Sequence, residues 1–147
     1  MGAVLSPVVE REIRDSFRRQ SFLRLIGATL AEVSAGRAVV ALDAREDLLQ
    51  QHGTLHAAAV TAIADVAAGY AGQSVLPAGS SVVSAEFKIN FLRPAAGRRF
   101  RAVGEVVRAG RTLTVTQAVV EQVDGAKSVP CAVLLQTIAK VERPERP

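Results

Sequence analysis

The chain has 147 residues, 49% hydrophobic and 22% charged, with one cysteine and no tryptophan. That length accommodates one domain with a substantial core, the apolar content excludes a disordered chain, and the lone Cys131 excludes a disulfide framework and suits a reducing compartment. The net charge of +4 rests on fifteen arginines against three lysines, but with aromatics at only 4% of residues the chain lacks the stacking platform of a nucleic-acid surface.

In chain order, PVVEREIRDSFRR at 7–19 opens on proline and brings Val8, Ile13 and Phe17 to near-helical spacing, which predicts a helix within residues 1–20. Met1 to Val9 lacks the basic start and long apolar core of a signal peptide, and the MGAVLS match to an acylation pattern is too short to carry weight. Residues 28–44, ATLAEVSAGRAVVALDA, read as two short strands turning at Ser34-Ala35-Gly36. The loop REDLLQQHGT leads into an alanine-rich helix from about Leu55 to Gln73, closed by Gly72 and the turn-forming residues after it. This helix is short and interrupted by His56, Thr61 and Asp65, so it is no membrane span. The chain reads as a single cytoplasmic domain.

Beyond the helix the period changes to two. In SVVSAEFKINF, Val83, Ala85, Phe87, Ile89 and Phe91 alternate with Ser84, Glu86, Lys88 and Asn90, predicting one apolar and one polar face. Turns at Pro94–Gly97, Ala109-Gly110 and Asp124-Gly125 separate three more long strands, and residues 142–147 form a loose tail. A helix apolar on all sides must be wrapped, and its small residues let a sheet close tightly on it. The expected fold is therefore α+β, an antiparallel sheet rolled around one helix.

Asp65 stands out in that helix. A carboxylate among small apolar residues, with Thr61 and Gly69 at four positions either side, has no helical neighbour to pair with, so it is a candidate for function. The helix start offers the other half of a hydrolytic site. Its first backbone N–H groups, those of Ala57 and Ala58, are free to hold an oxyanion at the positive end of the helix dipole. Cys131, in an apolar run, reads as a small core residue. His52 and His56 are four apart, but without acidic or Cys neighbours they do not make a metal site; His56 is better placed to fix the turn into the helix. Arg93, Arg98, Arg99, Arg101, Arg108 and Arg111 fall close together in sequence, a density that suits phosphate oxygens or charged strand edges.

These features together resemble the hotdog-fold acyl-CoA thioesterases of the phenylacetate-degradation branch. The resemblance rests on Gly53-Thr54-Leu55-His56-Ala57-Ala58 with Asp65 in the carboxylate position, on EFKINFLRPA at 86–95 and on VVRAGRTLTV at 106–115, and covers roughly residues 20–140. The chain departs from the family pattern in having Ala57-Ala58 for a double glycine and Gln50 for a frequent asparagine. The resemblance implies a thioester hydrolase without a cofactor, acting on acyl-CoA. It implies Asp65 as general base or nucleophile, Gln50 orienting water or supporting the oxyanion, and Ser84 holding water near the carboxylate. It implies substrate contacts at Gly53, Ala58, Lys88, Asn90, Arg93, Arg108, Gly110 and Arg111. Two other readings stay open: a hydratase or dehydratase of acyl thioesters, pairing a histidine with Asp65, and a non-catalytic acyl-CoA-binding domain.

Assembly follows from helix geometry. Ala57 and Asp65 are eight positions apart, about 12 Å along the axis, yet both must reach one reacting carbonyl within about 3.5 Å. One helix cannot do this, and two antiparallel copies can. The expected active unit is a homodimer, and the resemblance extends this to a dimer of dimers.

Overall fold

A computed structural model describes residues 4–142. The MGA start and residues 143–147 of the expected tail lie outside the described residues, and Glu142 ends the last strand. Two short helices, α1 (Pro7–Arg19) and α2 (Ser21–Ile26), precede strands β1 (Thr29–Ser34) and β2 (Arg37–Asp43). The central helix α3 (Ala57–Gln73) follows, then β3 (Ser80–Phe91), β4 (Arg99–Arg108), β5 (Leu113–Asp124) and β6 (Lys127–Glu142). All six strands pair antiparallel in the order β1-β2-β4-β5-β6-β3. The sheet curls around α3, the hotdog arrangement.

Small residues allow the close approach. Ala64, Ala67, Ala68 and Ala71 are fully buried on the sheet side of α3, and a Cβ added at Gly104 of β4 would run into the backbone of Ala67. Ile63, Val60, Phe100 and Leu42 are buried in the same core cluster; burying a side chain of that size contributes roughly 1.5–3 kcal/mol. On α1 the buried stripe is Val9, Ile13 and Phe17, while Val8 is 43% exposed. A regular spacing of four fixes that stripe, which corrects the expected Val8. Phe17 packs tilted against Tyr70, ring centres 6.1 Å apart, and docks α1 on the far half of α3.

The wrapping is incomplete. Ala57 and Ala58 are exposed, and Thr61, Ala62, Asp65, Val66 and Gly69 are half-buried, so one face of α3 stays open beside β3. That strand is the sheet's edge and carries Phe87 and Phe91 at 40% and 49% exposure.

Candidate active site

Asp65 sits half-buried midway along α3, and the strands supply the partners that the helix does not. Its Oδ1 accepts hydrogen bonds from the Ser84 hydroxyl, at 2.6 Å, and from the Gln136 side-chain amide. Gln136 Nε2 also lies 3.1 Å from Ser84 Oγ, and Gln136 Oε1 accepts from the Thr116 hydroxyl at 3.2 Å. Thr116 and Gln136 are both fully buried. The Thr116 bond orients the amide so that its N–H end faces the carboxylate. Both donors hold the same oxygen, leaving Oδ2 for water or a reacting carbonyl. A carboxylate so held is set up to accept a proton or attack, not to donate.

Ser84 reaches Asp65 because the alternation of β3 breaks. The register against β6 shifts between Ser84 and Glu86. On one side of this bulge Phe87 and Ile89 pair with Gln136 and Leu134 on the helix-facing side; on the other, Ser84 pairs with Ile138, also helix-facing. An extra residue at Ala85 resets the phase. Ser84 therefore does not share the face of Glu86, Lys88 and Asn90, as strict alternation predicts. Lys88 and Asn90 pair with Leu135 and Val133 on the outer face, away from α3. Gln136 escaped the sequence reading, although a signal was present: among the inward-facing Ala132, Leu134 and Ile138 it is the polar exception.

The start of α3 is built differently. His56 is its N-cap, and its Nδ1 accepts the Ala58 N–H at 2.9 Å. That bond removes Ala58 as an oxyanion donor. The Ala57 N–H, in contrast, has no hydrogen-bond partner among the described residues. Because Nδ1 accepts, the neutral ring carries its proton on Nε2 and has no lone pair left for a base. Gln50 sits in a tight turn whose fourth residue, Gly53, has φ 80°, a conformation that favours glycine. The Gln50 side chain braces this turn, donating to Thr54 Oγ1 at 2.6 Å and accepting from the His52 N–H at 2.8 Å.

Two cavities result. One, about 330 Å³, joins Gln50, His56, Ala57, Phe91 and Arg93 at the helix start. The other, about 160 Å³, contains Asp65 and Ser84 and runs toward Tyr70 and Gln73. They share no residue. Cys131 lines the first, but burial pushes its thiol pKa up, which disfavours the thiolate a nucleophile needs.

The arginines divide. Arg99 pairs with Asp43 at 3.0 Å and Arg101 with Glu121 at 2.6 Å, so these are cross-strand ion pairs that tie β4 to its neighbours β2 and β5. Arg93, Arg98, Arg108 and Arg111 are exposed and make no ion pair among the described residues. Arg108 and Arg111 flank the β4–β5 turn with Gly110, whereas Arg93 lies at the other end of the sheet. Through the ladder Arg108 aligns with Thr137 of β6, while Phe91, two residues before Arg93, aligns with Ala132, about 17 Å away along that strand. A single chain does not bring them together. No group of three or more metal-ligating side chains forms among the described residues.

Residues 52–129, just over half of the chain, match the model of the Thioesterase superfamily. Among solved structures, a thioesterase family protein from Silicibacter pomeroyi is 36% identical, spanning 92% of this chain and 99% of its own, with a TM-score of 0.88. Two more share the fold at 20% identity. The PaaI protein of the E. coli phenylacetic acid degradation operon spans 93% of this chain and 96% of its own, with a TM-score of 0.83. A thioesterase from Haemophilus influenzae spans 92% of each, with a TM-score of 0.80. The chain belongs to the thioesterase superfamily and is a hotdog-fold thioester hydrolase.

Proposed function

We propose that the enzyme hydrolyses acyl-CoA thioesters to free acid and coenzyme A at a site completed between two copies of the chain. The observation that carries this reading is the separation of Asp65 from the free Ala57 N–H. They occupy distinct cavities about 12 Å apart on one helix. The open face of α3 and the apolar, unpaired edge of β3 lie side by side, and a second copy is the occupant that covers both. A two-fold axis there sets the α3 helices antiparallel, bringing Asp65 of one copy to Gln50 and Ala57 of the other. Leu113 and Leu135, more than half exposed on the sheet's outer face, suit a further pairing of dimers.

In this site the Ala57 N–H binds the thioester oxygen and stabilises the charge that develops there. Asp65, positioned by Ser84 and Gln136, removes a proton from the attacking water or attacks directly to give a transient anhydride. Gln50 retains one amide hydrogen beyond its bond to Thr54 and orients that water; Gly53 and Ala58 shape the entrance. The antiparallel arrangement also places Arg93 of one copy near Arg108, Gly110 and Arg111 of the other, where they hold the nucleotide phosphates. Lys88 and Asn90 take no part. His56, tied up as the helix cap, is not available as the histidine base of a hydratase. No helix among the described residues is long and apolar enough to cross a membrane, and a cytoplasmic setting fits the buried free cysteine.

Release of free thiol from a panel of acyl-CoAs tests the reading. Wild-type enzyme should release coenzyme A from at least one member, and Asp65→Asn, nearly isosteric, should abolish release while leaving the unfolding temperature unchanged or higher. Near-normal turnover by Asp65→Asn would remove Asp65 from the chemistry.

A further inference from the structure

In the proposed reaction Gln50 orients water through one hydrogen of its side-chain amide, and a glutamine does this well only if the amide is held still. A long side chain on a loop has many rotamers, and ordering it is costly. The turn from Gln50 to Thr54 removes that freedom at both ends of the amide. Oε1 accepts the His52 N–H at 2.8 Å, which settles which end is the oxygen. Nε2 donates to Thr54 Oγ1 at 2.6 Å. The amide is planar, so fixing its oxygen and one hydrogen leaves the second hydrogen a single direction.

The two anchors are not equal. His52 lies at the tip of the turn, exposed like Gln51 and Gly53 on either side of it. Thr54 is half-buried and stands at the base. The next residue, Leu55, is 3% exposed, and its N–H donates to the Ala95 carbonyl at 2.9 Å. Leu49 and Leu55 form an antiparallel bridge, and the His56 N–H donates to the Leu48 carbonyl at 2.9 Å. The Gln50 N–H closes onto the Thr54 carbonyl, also at 2.9 Å. Thr54 is therefore tied to the core through Leu55 and holds Gln50 by backbone and side chain together. It lines the same cavity as Gln50 and Ala57.

We propose that Thr54 is a positioning residue for thioester hydrolysis: its hydroxyl oxygen holds the Gln50 amide so that the remaining Nε2 hydrogen meets the attacking water. The inference rests on the role given to Gln50 above and names the residue through which that role is exerted. The water oxygen accepts this hydrogen with one lone pair, attacks with the other, and yields its proton to Asp65 of the second copy. Position 54 then needs an oxygen rather than a particular shape. Valine matches threonine in shape but offers the amide no acceptor, so the Gln50 side chain swings to solvent. Serine keeps the acceptor.

The test compares steady-state thiol release by Thr54→Val, Thr54→Ser, Gln50→Ala and the double variant Gln50→Ala/Thr54→Val on an acyl thioester that the wild-type enzyme hydrolyses. Thr54→Val should lower kcat about five- to tenfold, the worth of one hydrogen bond, and leave KM close to wild type. Thr54→Ser should match wild type in both. In the Gln50→Ala background Thr54→Val should cost nothing further, because the amide that it positions is gone. A normal kcat for Thr54→Val beside a slow Gln50→Ala overturns the inference alone. So does a loss that Thr54→Ser fails to recover, and so do losses that multiply in the double variant, which would make Thr54 act independently of Gln50. Full activity of Gln50→Ala overturns the role of Gln50 and this inference with it. Should Thr54→Val not fold, Thr54→Ala also lacks the oxygen and carries the same expectations.

Discussion

Gln136 donates from its side-chain amide to Asp65 Oδ1 across 71 positions of sequence, and Thr116 holds the amide in the orientation that makes this possible. A base whose bound oxygen is fixed presents its other oxygen along one direction, and misplacement of a reacting group by about 1 Å costs roughly a hundredfold in rate. Gln136→Leu should therefore lower kcat by about that factor with little change in KM. Stability should fall by about 1 to 3 kcal/mol, because the buried Thr116 hydroxyl loses its acceptor. Steady-state kinetics beside thermal melts separate the two effects. An unchanged kcat would mean that Gln136 is packing alone.

His56 ties the start of α3 to its own side chain, and removing a cap of this kind costs about 1 kcal/mol. His56→Ala should lower the melting temperature by about 2 to 4 °C. His56→Asn, which keeps a capping acceptor, should recover most of it. Equal losses in the two variants would show that the imidazole matters for something other than its acceptor.

Charge reversal at Arg93, Arg108 or Arg111 removes contacts remote from the reacting carbonyl. Such contacts bind ground state and transition state alike. Each reversal should raise KM for acyl-CoA and leave truncated acyl-pantetheine analogues unaffected. Parallel losses on both substrates would take these arginines away from the nucleotide.

Burial holds Cys131 as a protonated thiol near neutral pH, since its pKa is raised and the thiolate is the reactive form. Alkylating reagents at neutral pH should leave the folded enzyme active while consuming a free thiol control, and should label Cys131 once the chain is unfolded. Rapid inactivation of the folded enzyme would contradict this.

Much of the architecture was legible because it repeats. The small apolar residues of α3 recur over many positions, and the turns at Pro94–Gly97, Ala109-Gly110 and Asp124-Gly125 mark off the strands after it. What escaped lies where repetition stops. Ser84 was assigned to the outer face because alternation has no means of announcing a bulge, and the bulge at Ala85 is what turns it toward Asp65. Gln136 looked like one more strand residue, although its inward phase marked it. Short α2 has no stretch long enough to show a period. At the helix start, composition offered Ala57 and Ala58 equally as donors, and only the orientation of the His56 ring distinguishes them.

The account's central claim is that Asp65 and the Ala57 N–H act on one substrate from two different chains. Ala57 is the first residue of α3, and His56 before it is extended at φ −60°, ψ 138°, so proline is tolerated there while deleting the donor. Ala57→Pro and Asp65→Asn should each be inactive and folded. Mixed and allowed to exchange subunits, they form about half mixed dimers, each with one intact site, so roughly a quarter of wild-type thiol release should return. If exchange is demonstrated by mass or fluorescence labelling and activity stays at the level of the single variants, the shared site is wrong.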